Sequence, residues 1–438
     1  MTEHDRPTLE SARSISAARA RGGMIARFCR RAIFEQLSAL TRGCITIEEA
    51  GEHRVFGDPQ TEQKAHVRVL DPGLWSAAAS GSVGLGEAYM NGLVEVDDLT
   101  QLIRICASNE ELATTYDFRW SGIVEPARRL LYWLDRNTRR GSQRNIARHY
   151  DLGNELFQHF LDPTMMYSCG VFPTPESSME EASRAKLDLI CRKADLRPGA
   201  HVLEVGTGWG GFAIHAAKYF GCRVTTTTIS QEQHRFACER VKAQGLEDRI
   251  EVLLEDYRDL EGEYDRIVSI EMVEAVGHQY LGKFFQVCAA RLKPDGVMVM
   301  QAITIRDREY DRARRTVDFI KRYIFPGSFL PSIEEISRRV RESSDLTIFH
   351  VEDIGLHYAR TLQLWRERFE ENAQTIRRLG YDERFMRMWR FYLCYCEAGF
   401  LERRISDVHM IFHKPAARFE WPTLVQTQRS ISALPTTP

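Results

Sequence analysis

Short apolar runs alternate with helical patterns through the second half of the chain. Five runs are rich in β-branched or other apolar residues and have the length of strands: HVLEV (201–205), RVTTTTI (223–229), RIEVLL (249–254), YDRIVSI (264–270) and GVMVMQAI (296–303). Between them lie stretches with apolar residues at helical spacing, such as GFAIHAAKYF (211–220). Strands that alternate with helices in this way predict a parallel, doubly wound sheet.

The whole chain divides by pattern and composition into four parts. In chain order they are a small α+β domain (1–117), a basic connector (118–145), the region of alternating strands and helices (146–415) and a disordered tail (416–438). Two later apolar runs, 346–353 and 407–414, are predicted to add an antiparallel pair to the five strands. The sequence therefore predicts an α/β protein with a mostly parallel, seven-stranded sheet.

Charge and cysteine content exclude several classes of protein. The 438 residues carry a net charge of −2, so no overall positive charge favours nucleic acid. Residues 13–42 hold seven arginines and one acid, a composition that suits either an anionic membrane surface or a solvated helix face. Ten scattered cysteines without a CxxC pair fit a reducing cytoplasm, and no run reaches the ~18 apolar residues of a spanning helix. We therefore expect a cytoplasmic protein that meets membranes only from outside.

A glycine-rich turn follows the first strand of the repeating region. The stretch VLEVGTGWGG (202–211) places Gly206, Gly208 and Gly211 in the order G-x-G-x-x-G, a fingerprint of dinucleotide sites. A nicotinamide dinucleotide site also needs an acid at the end of the second strand, and RVTTTTIS (223–230) offers none. The nicotinamide interpretation therefore lacks its second requirement.

S-adenosylmethionine (SAM) makes different demands, and the sequence meets them. Glycines let the methionine part of SAM lie over the turn, and Glu204, just before them, would face its ammonium group. Gln233 and the segment EDYRD (255–259), at the ends of the second and third strands, would hold the ribose and adenine. These residues favour SAM over a nicotinamide cofactor.

Several motifs, in order, resemble one family of lipid-modifying enzymes. They are HYDLGNELFQHFLDPTMMYSCGVF (149–172), VLEVGTGWGG, TISQEQ (228–233), EDYRD, SIEMVEAVG (269–277), FIKRYIFPGSFLPS (319–332) and GLHYARTLQLWRERF (355–369). Together they are similar to the cyclopropane-fatty-acyl-phospholipid synthases and the related mycolic acid cyclopropane synthases. Residues 84–103 also look like the small N-terminal domain of the phospholipid-acting members. The resemblance implies the fold of a class I SAM-dependent methyltransferase.

The resemblance also implies an activity and the residues that perform it. The family adds a methyl group from SAM across a cis double bond of an acyl chain, and the resulting carbocation loses a proton as a cyclopropane ring closes. A bound bicarbonate ion is taken as the base, and no metal is implied. The matching bicarbonate-binding residues here are Cys169, Glu274, the Ile303 backbone and Tyr358. The matching SAM-binding residues are Tyr167, Ser168, Gly206, Gly208, Thr228, Ile229, Gln233, Tyr257 and Arg258.

Two positions depart from the family pattern. Gln301 stands on the fifth strand where many members have a bicarbonate-binding histidine, and Ala275 follows Glu274 where many also have histidine. An amide can donate a hydrogen bond to an anion but does not titrate near neutral pH. The two changes resemble members that make methylene- or methyl-branched acyl chains, so the sequence leaves the product open. A lipid-binding protein without catalysis is a further alternative, which the retained Cys169 and Tyr358 disfavour.

The implied substrate is an unsaturated phospholipid in a bilayer, so we expect peripheral binding at the inner face of the membrane. An insertion at about 306–342 interleaves cations with large apolar residues, as interfacial segments do, although a solvated helix with one core-facing side has the same pattern. In the family the N-terminal domain helps to capture lipid and to pair subunits. A homodimer is therefore a further expectation.

Overall fold

The computed structural model describes residues 9–109 and 153–418, with side chains from Gly23 onwards. The predicted connector (118–145) and residues 419–438 of the predicted tail lie outside the described residues. The chain forms two compact units, Met1–Arg128 with Asp382–Ala398, and Arg129–Tyr381 with Gly399–Pro438. In the described ranges no helix is both long and apolar enough to span a bilayer.

The first unit is an α+β structure built on a four-stranded sheet in the order β2-β1-β3-β4. Its elements from the N-terminal region are α1 (Leu9–Leu37), β1 (Cys44–Glu49), β2 (Glu52–Gly57), β3 (Lys64–Val69), α2 (Gly73–Ala78), α3 (Gly81–Met90), β4 (Val94–Val96) and α4 (Leu99–Ser108). Strand β1 pairs antiparallel with β2 and parallel with β3. Side chains of α4 and β1, among them Ile105 and Ile45, are buried in this unit.

One helical segment from far along the chain belongs to the first unit. The stretch Asp382–Ala398 clusters with it, although the sequence analysis placed these residues in the region 146–415. Arg387 donates hydrogen bonds to the carbonyls of Tyr89 and Val94. Because these partners lie nearly 300 positions apart, a local sequence pattern does not reveal the contact.

The second unit contains a seven-stranded sheet in the order β10-β11-β9-β8-β5-β6-β7. Its strands are β5 (His201–Val205), β6 (Arg223–Thr228), β7 (Ile250–Leu254), β8 (Tyr264–Ile270), β9 (Leu292–Ile305), β10 (Thr347–Asp353) and β11 (Ile405–His413). Strands β5 to β9 run parallel, whereas β11 is antiparallel to both β9 and β10. The predicted doubly wound sheet with a final antiparallel pair is confirmed.

Helices cover both faces of this sheet. They are α5 (Asn154–Gln158), α6 (Met179–Lys193), α7 (Gly211–Phe220), α8 (Gln231–Ala243), α9 (Leu281–Arg291), α10 (Asp307–Ala313), α11 (Ile333–Ser343), α12 (Gly355–Glu371) and α13 (Ala373–Arg378). A further helix, α14 (Glu383–Leu401), lies mostly in the first unit, which takes Asp382–Ala398. Alternate residues of β9 enter two separate apolar clusters, Met298 with Phe284 of α9 and Val299 with Phe212 of α7. Successive strand side chains point to opposite faces, so each cluster is the core on one side of the sheet.

The carboxyl ends of β5 to β9 lie at one edge of the sheet, because these strands are parallel. Ligands of open α/β sheets bind in the crevice outside these ends. The glycine turn after β5, a short 3₁₀ turn after β7 (Tyr257–Asp259) and another after β8 (Val273–Ala275) all lie at this edge. The fold therefore brings the predicted site segments to one place.

Candidate active site

The glycine turn after β5 has a backbone that other residues rarely adopt. Gly206 has φ +106° and Gly208 has φ +52°, and the backbone amides of Gly206 and Thr207 donate to the Thr227 carbonyl on β6. A Cβ added at Gly208 would meet nothing within 4 Å. The space above the turn is open, so a ligand can approach the backbone closely.

Glu204 lies inside the sheet, just before this turn, with 2% of its surface exposed. Its Oε2 accepts a hydrogen bond of 2.6 Å from Thr226 Oγ1 on the neighbouring strand. Burial raises the pKa of Glu204 to about 8, so the carboxyl is protonated at neutral pH in the folded protein. Its predicted contact with the ammonium group of SAM stays a prediction.

Replacing Glu204 by glutamine is expected to change how stability depends on pH. Burial raises the pKa of Glu204 to about 8 in the folded protein, whereas the unfolded chain keeps the ordinary pKa of a glutamate. As the pH rises from that ordinary pKa toward 8, the free energy of unfolding of the wild type therefore falls progressively. The loss approaches ~1.4 kcal/mol per pH unit in that window, and an amide has no such loss. Urea unfolding at pH 5 and pH 8 measures this difference. The free energy of unfolding of Glu204→Gln, relative to that of the wild type, should be greater at pH 8 than at pH 5. Parallel pH profiles of the two proteins would contradict the assigned burial.

The predicted ribose and adenine residues come together at the ends of β6 and β7. Thr228 Oγ1 donates to Gln233 Oε1 at 3.0 Å. Ile229, which follows Thr228 in the sequence, is half-buried. Arg258 is held by two hydrogen bonds to Asp256, at 2.7 and 2.5 Å. These groups form a polar rim next to the open glycine turn.

Tyr257 supplies an aromatic wall beside that rim. Its ring packs edge-on against Phe284 at 5.7 Å, and burial raises the pKa of its hydroxyl. The hydroxyl is buried without a hydrogen-bond partner among the residues that the structure describes. An open backbone turn, a polar rim and an unsatisfied buried hydroxyl fit SAM, and bound SAM would supply an electrophilic methyl group here.

Tyr167 and Ser168 precede the sheet, and Ser168 contacts a buried cation. The Tyr167 ring lies 5.2 Å from that of Trp365. Ser168 Oγ accepts a hydrogen bond of 2.6 Å from Lys186 Nζ, and Lys186 is fully buried on α6. Burial lowers the pKa of Lys186, whereas the nearby Glu271 carboxyl opposes that shift. The sequence analysis did not identify this lysine.

Glu271, at the end of β8, accepts hydrogen bonds from three predicted site residues. Its Oε1 accepts from the Cys169 amide at 2.7 Å and from Gln301 Nε2 at 2.6 Å, and its Oε2 accepts from Tyr358 Oη at 2.6 Å. The sequence analysis chose only the second acid of SIEMVEAVG (269–277). The first acid directly follows a buried strand at the ligand edge, and that position was the available signal.

Glu274 lies one turn further on and uses one oxygen only. Its Oε1 accepts from the Ile303 amide at 2.5 Å, while Oε2 is buried with no partner in the described part of the chain. Burial first, and the neighbouring Glu271 carboxyl next, raise the pKa of Glu274 to about 8. The structure therefore joins Glu274 to the Ile303 backbone, a contact that the sequence analysis did not predict, and leaves a neutral carboxyl with one oxygen that has no partner among the described residues.

The thiol of Cys169 plays a smaller part than its backbone. Its Sγ lies 3.1 Å from the Gly170 carbonyl, and burial raises the pKa of the thiol, so it remains protonated. The backbone amide of Cys169 is the group that reaches the pocket, through its bond to Glu271. The sequence analysis expected Cys169 at the pocket, and in the structure its main chain makes the contact.

Gln301 has a fixed orientation because its two amide ends have different partners. Nε2 donates to Glu271 at 2.6 Å and to Asp407 Oδ2 at 2.7 Å, and Oε1 lies 3.2 Å from His409 Nε2. His409 Nδ1 in turn lies 2.9 Å from Lys193 Nζ, which donates to it. Burial lowers the pKa of His409 well below its usual value, so the neutral imidazole donates from Nε2 to Gln301. Neither Asp407 nor His409 was identified from the sequence.

Three buried carboxyl groups thus share one pocket. Burial raises the pKa of Glu271 and Asp407 as well as that of Glu274, and the charge of Lys186 opposes the shift of the first two. The three hydrogen bonds donated to Glu271 also favour its ionised form. The described residues therefore do not fit a bicarbonate ion, because its expected donors already bind carboxyl groups of the chain.

Aromatic rings form the wall of this pocket. The Tyr358 ring stacks on Phe400 at 4.5 Å and meets Trp365 perpendicularly at 6.1 Å. Trp365 also packs against Phe160 at 6.1 Å, and its indole Nε1 is buried without a partner among the described residues. Aromatic faces beside buried carboxyl groups can stabilise a positive charge that develops between them.

The fold and the open glycine turn define a class I SAM-dependent methyltransferase. A solved coclaurine N-methyltransferase bound to SAH, 22% identical, has this fold with a TM-score of 0.58 over 76% of this chain and 99% of its own. The family model for mycolic acid cyclopropane synthetase matches residues 137–411. The chain therefore belongs to that family, as the motifs predicted.

Named relatives agree with this assignment. The chain is 41% identical over 327 residues to a tuberculostearic acid methyltransferase of Mycobacterium tuberculosis, covering 73% of this chain and 76% of the relative. It is 36% identical to the cyclopropane-fatty-acyl-phospholipid synthase of Escherichia coli K12, covering 80% of this chain and 88% of the relative. A solved mycolic acid cyclopropane synthase with bound SAH and CTAB is 31% identical, with a TM-score of 0.58, covering 62% of this chain and 98% of its own.

Proposed function

We propose that the enzyme transfers a methyl group from SAM to the cis double bond of an unsaturated phospholipid acyl chain. The observation that supports this most is the cluster of buried carboxyl groups and aromatic rings at the ligand edge of the sheet. The aromatic rings suit an acyl chain, and the carboxyl groups suit a cationic intermediate. The synthase from Escherichia coli, named for fatty acyl phospholipids, supports the same substrate class.

In the proposed reaction the double bond is the nucleophile. Its π electrons form a bond to the methyl carbon of SAM, and the electrons of the broken carbon–sulfur bond stay on sulfur. The other alkene carbon becomes a carbocation, which the rings of Tyr358 and Trp365 and the charge of Glu271 stabilise. Loss of one proton completes the reaction. The product depends on the carbon that loses the proton and on whether a hydride first shifts between the two former alkene carbons.

A cyclopropane ring is the first candidate product. It forms when the proton leaves the new methyl group and the electrons of that bond close the ring. A methylene- or methyl-branched chain is the second candidate, and the placement of Gln301 between Glu271 and Asp407 favours it because no titratable histidine stands there. The relative from Mycobacterium tuberculosis is named a tuberculostearic acid methyltransferase, and this name also supports the second product.

We further propose that the enzyme binds membranes peripherally, on the cytoplasmic face. Arg312, Arg315 and Arg322 of the insertion are exposed and can contact anionic headgroups. Phe319 and Lys321 are buried instead, and Lys321 Nζ donates to the Ala313 and Thr316 carbonyls, so these two residues belong to the core of the insertion. Pairing of subunits through the N-terminal unit remains part of this proposal.

Mass spectrometry of lipids tests the proposed function. Purified protein is incubated with vesicles of cis-monounsaturated phospholipid and methyl-labelled SAM, and matched vesicles of saturated phospholipid serve as the control. We expect the unsaturated acyl chains alone to gain one labelled CH2. Hydrogenation and fragmentation of the acyl chains then separate a ring from a branched alkene. Absence of label from every lipid would overturn the proposed substrate.

A further inference from the structure

We infer that the carboxylate of Glu271 takes the place of bicarbonate in this enzyme and is the chain's own proton acceptor. This inference rests on the proposed function for the reaction, but the occupancy of the site by Glu271 stands on geometry alone. The family resemblance implied a set of bicarbonate-binding residues, and Glu271 was not one of them.

The three donors around Glu271 come from separate parts of the fold. The Cys169 amide precedes α6, Gln301 Nε2 lies on β9 and Tyr358 Oη lies on α12, and all three reach the same carboxylate within 2.7 Å. Donors that converge on one point from three elements form an anion site. Here the anion is a side chain that the protein carries itself.

The backbone of Glu271 gives a second, independent indication. Its φ is +47°, in the left-handed region that a long side chain rarely adopts, while its amide donates to the Gln301 carbonyl at 2.9 Å. Glycine would adopt this conformation without strain. Strain of this type persists where the surrounding structure enforces it, and it concentrates at functional sites. The strained backbone aims the carboxylate into the pocket.

The neighbours of Glu271 keep the donors pointed at it. His409 donates to Gln301 Oε1, which leaves Gln301 Nε2 facing the carboxyl groups. The free Oε2 of Glu274 and the buried Asp407 carboxyl border the same space. A bicarbonate ion would have to displace Glu271 from its three donors, whereas Glu271 needs no binding step.

The proton transfer balances with this acceptor. One C–H bond of the carbocation breaks, and its electron pair forms either the last bond of the cyclopropane ring or a carbon–carbon double bond. The proton goes to a carboxylate oxygen of Glu271 and later leaves to water. A carbocation is a very strong carbon acid, so even a carboxylate that accepts three hydrogen bonds is basic enough when it is well placed.

The test compares three proteins in buffer freed of carbon dioxide, with and without millimolar bicarbonate at constant ionic strength. We expect the wild type to turn over equally in both. Glu271→Gln should lose ~100-fold or more in turnover, with no recovery, because the amide fills the space without a charge. Glu271→Gly should lose as much but recover ~10-fold or more with bicarbonate, because the ion then takes the place of the carboxylate that the three donors bind.

Thermal unfolding of the same proteins measures bicarbonate binding at the site independently of any reaction. Bicarbonate should raise the melting temperature of Glu271→Gly by ~2 °C or more and leave the wild type and Glu271→Gln unchanged. Arg403→Gly is the matched control, since Arg403 is exposed with φ +51° and its loss relieves strain away from the pocket. It should not respond to bicarbonate.

The outcomes separate this inference from the proposed function. If no lipid takes up label, the proposed substrate fails, and the melting temperatures still decide whether Glu271 fills the anion site. A bicarbonate response of the wild type as large as that of Glu271→Gly, or none in Glu271→Gly, would overturn the occupancy. Wild-type turnover in Glu271→Gln would overturn its role as proton acceptor.

Discussion

Replacement of Glu274 by glutamine is expected to slow methyl transfer by ~100-fold or more while SAM affinity changes by less than about twofold. With its pKa raised to about 8, chiefly by burial, Glu274 is a neutral acid at pH 7 that can still ionise. When a carbocation develops nearby, transfer of that proton to solvent water places a negative charge beside it. A glutamine side chain still accepts the hydrogen bond from the Ile303 amide but cannot ionise. The variant therefore loses only the ability to place a negative charge beside the carbocation.

Single-turnover measurement with labelled SAM, together with equilibrium binding of SAM, checks this expectation. Glu263→Gln is the matched control, because it removes a carboxyl group from an exposed loop and not from the buried pocket. Control and wild type should react equally fast. If Glu274→Gln also reacts at that rate, the carboxyl serves only to anchor the Ile303 backbone.

The topology of the second unit could be predicted because its signals are local. Each strand is a short run rich in apolar or β-branched residues, several connections have helical spacing, and the glycine turn lies where a parallel sheet binds ligands. The family resemblance, and not these local signals, implied that Cys169, Glu274, Ile303 and Tyr358 belong to one pocket. Of the four, only Glu274 was also singled out by its position at a strand end.

The remaining part of the pocket could not be predicted in the same way. Asp407 and His409 lie on β11, which pairs antiparallel with β9 and thereby sets Gln301 opposite His409. Only that register shows that these polar residues enter the pocket, since β11 reads as an ordinary buried strand. Glu271 was open to prediction as an acid at a strand end, but its left-handed backbone and three donors depend on tertiary structure.

Lys186 is the residue whose loss should destabilise the fold most. It is fully buried, donates to Ser168 Oγ at 2.6 Å and opposes by its charge the pKa rise of Glu271 and Asp407. Removing one partner of a buried charge cluster leaves the opposite charge without compensation, at a cost of ~3–5 kcal/mol. We therefore expect Lys186→Met to lower the free energy of unfolding by that amount.

Urea unfolding measures this loss, with Lys218→Met as the matched control. Lys218 is exposed on α7 and donates to Gln244, so its replacement should change stability by only about 0.5 kcal/mol. The double variant Lys186→Met with Glu271→Gln should be more stable than the sum of the two single losses predicts, because it removes both charges together. If the losses simply add, the lysine does not compensate Glu271. If they do not add, a cation on α6 holds the ionised carboxylate of Glu271 inside the protein.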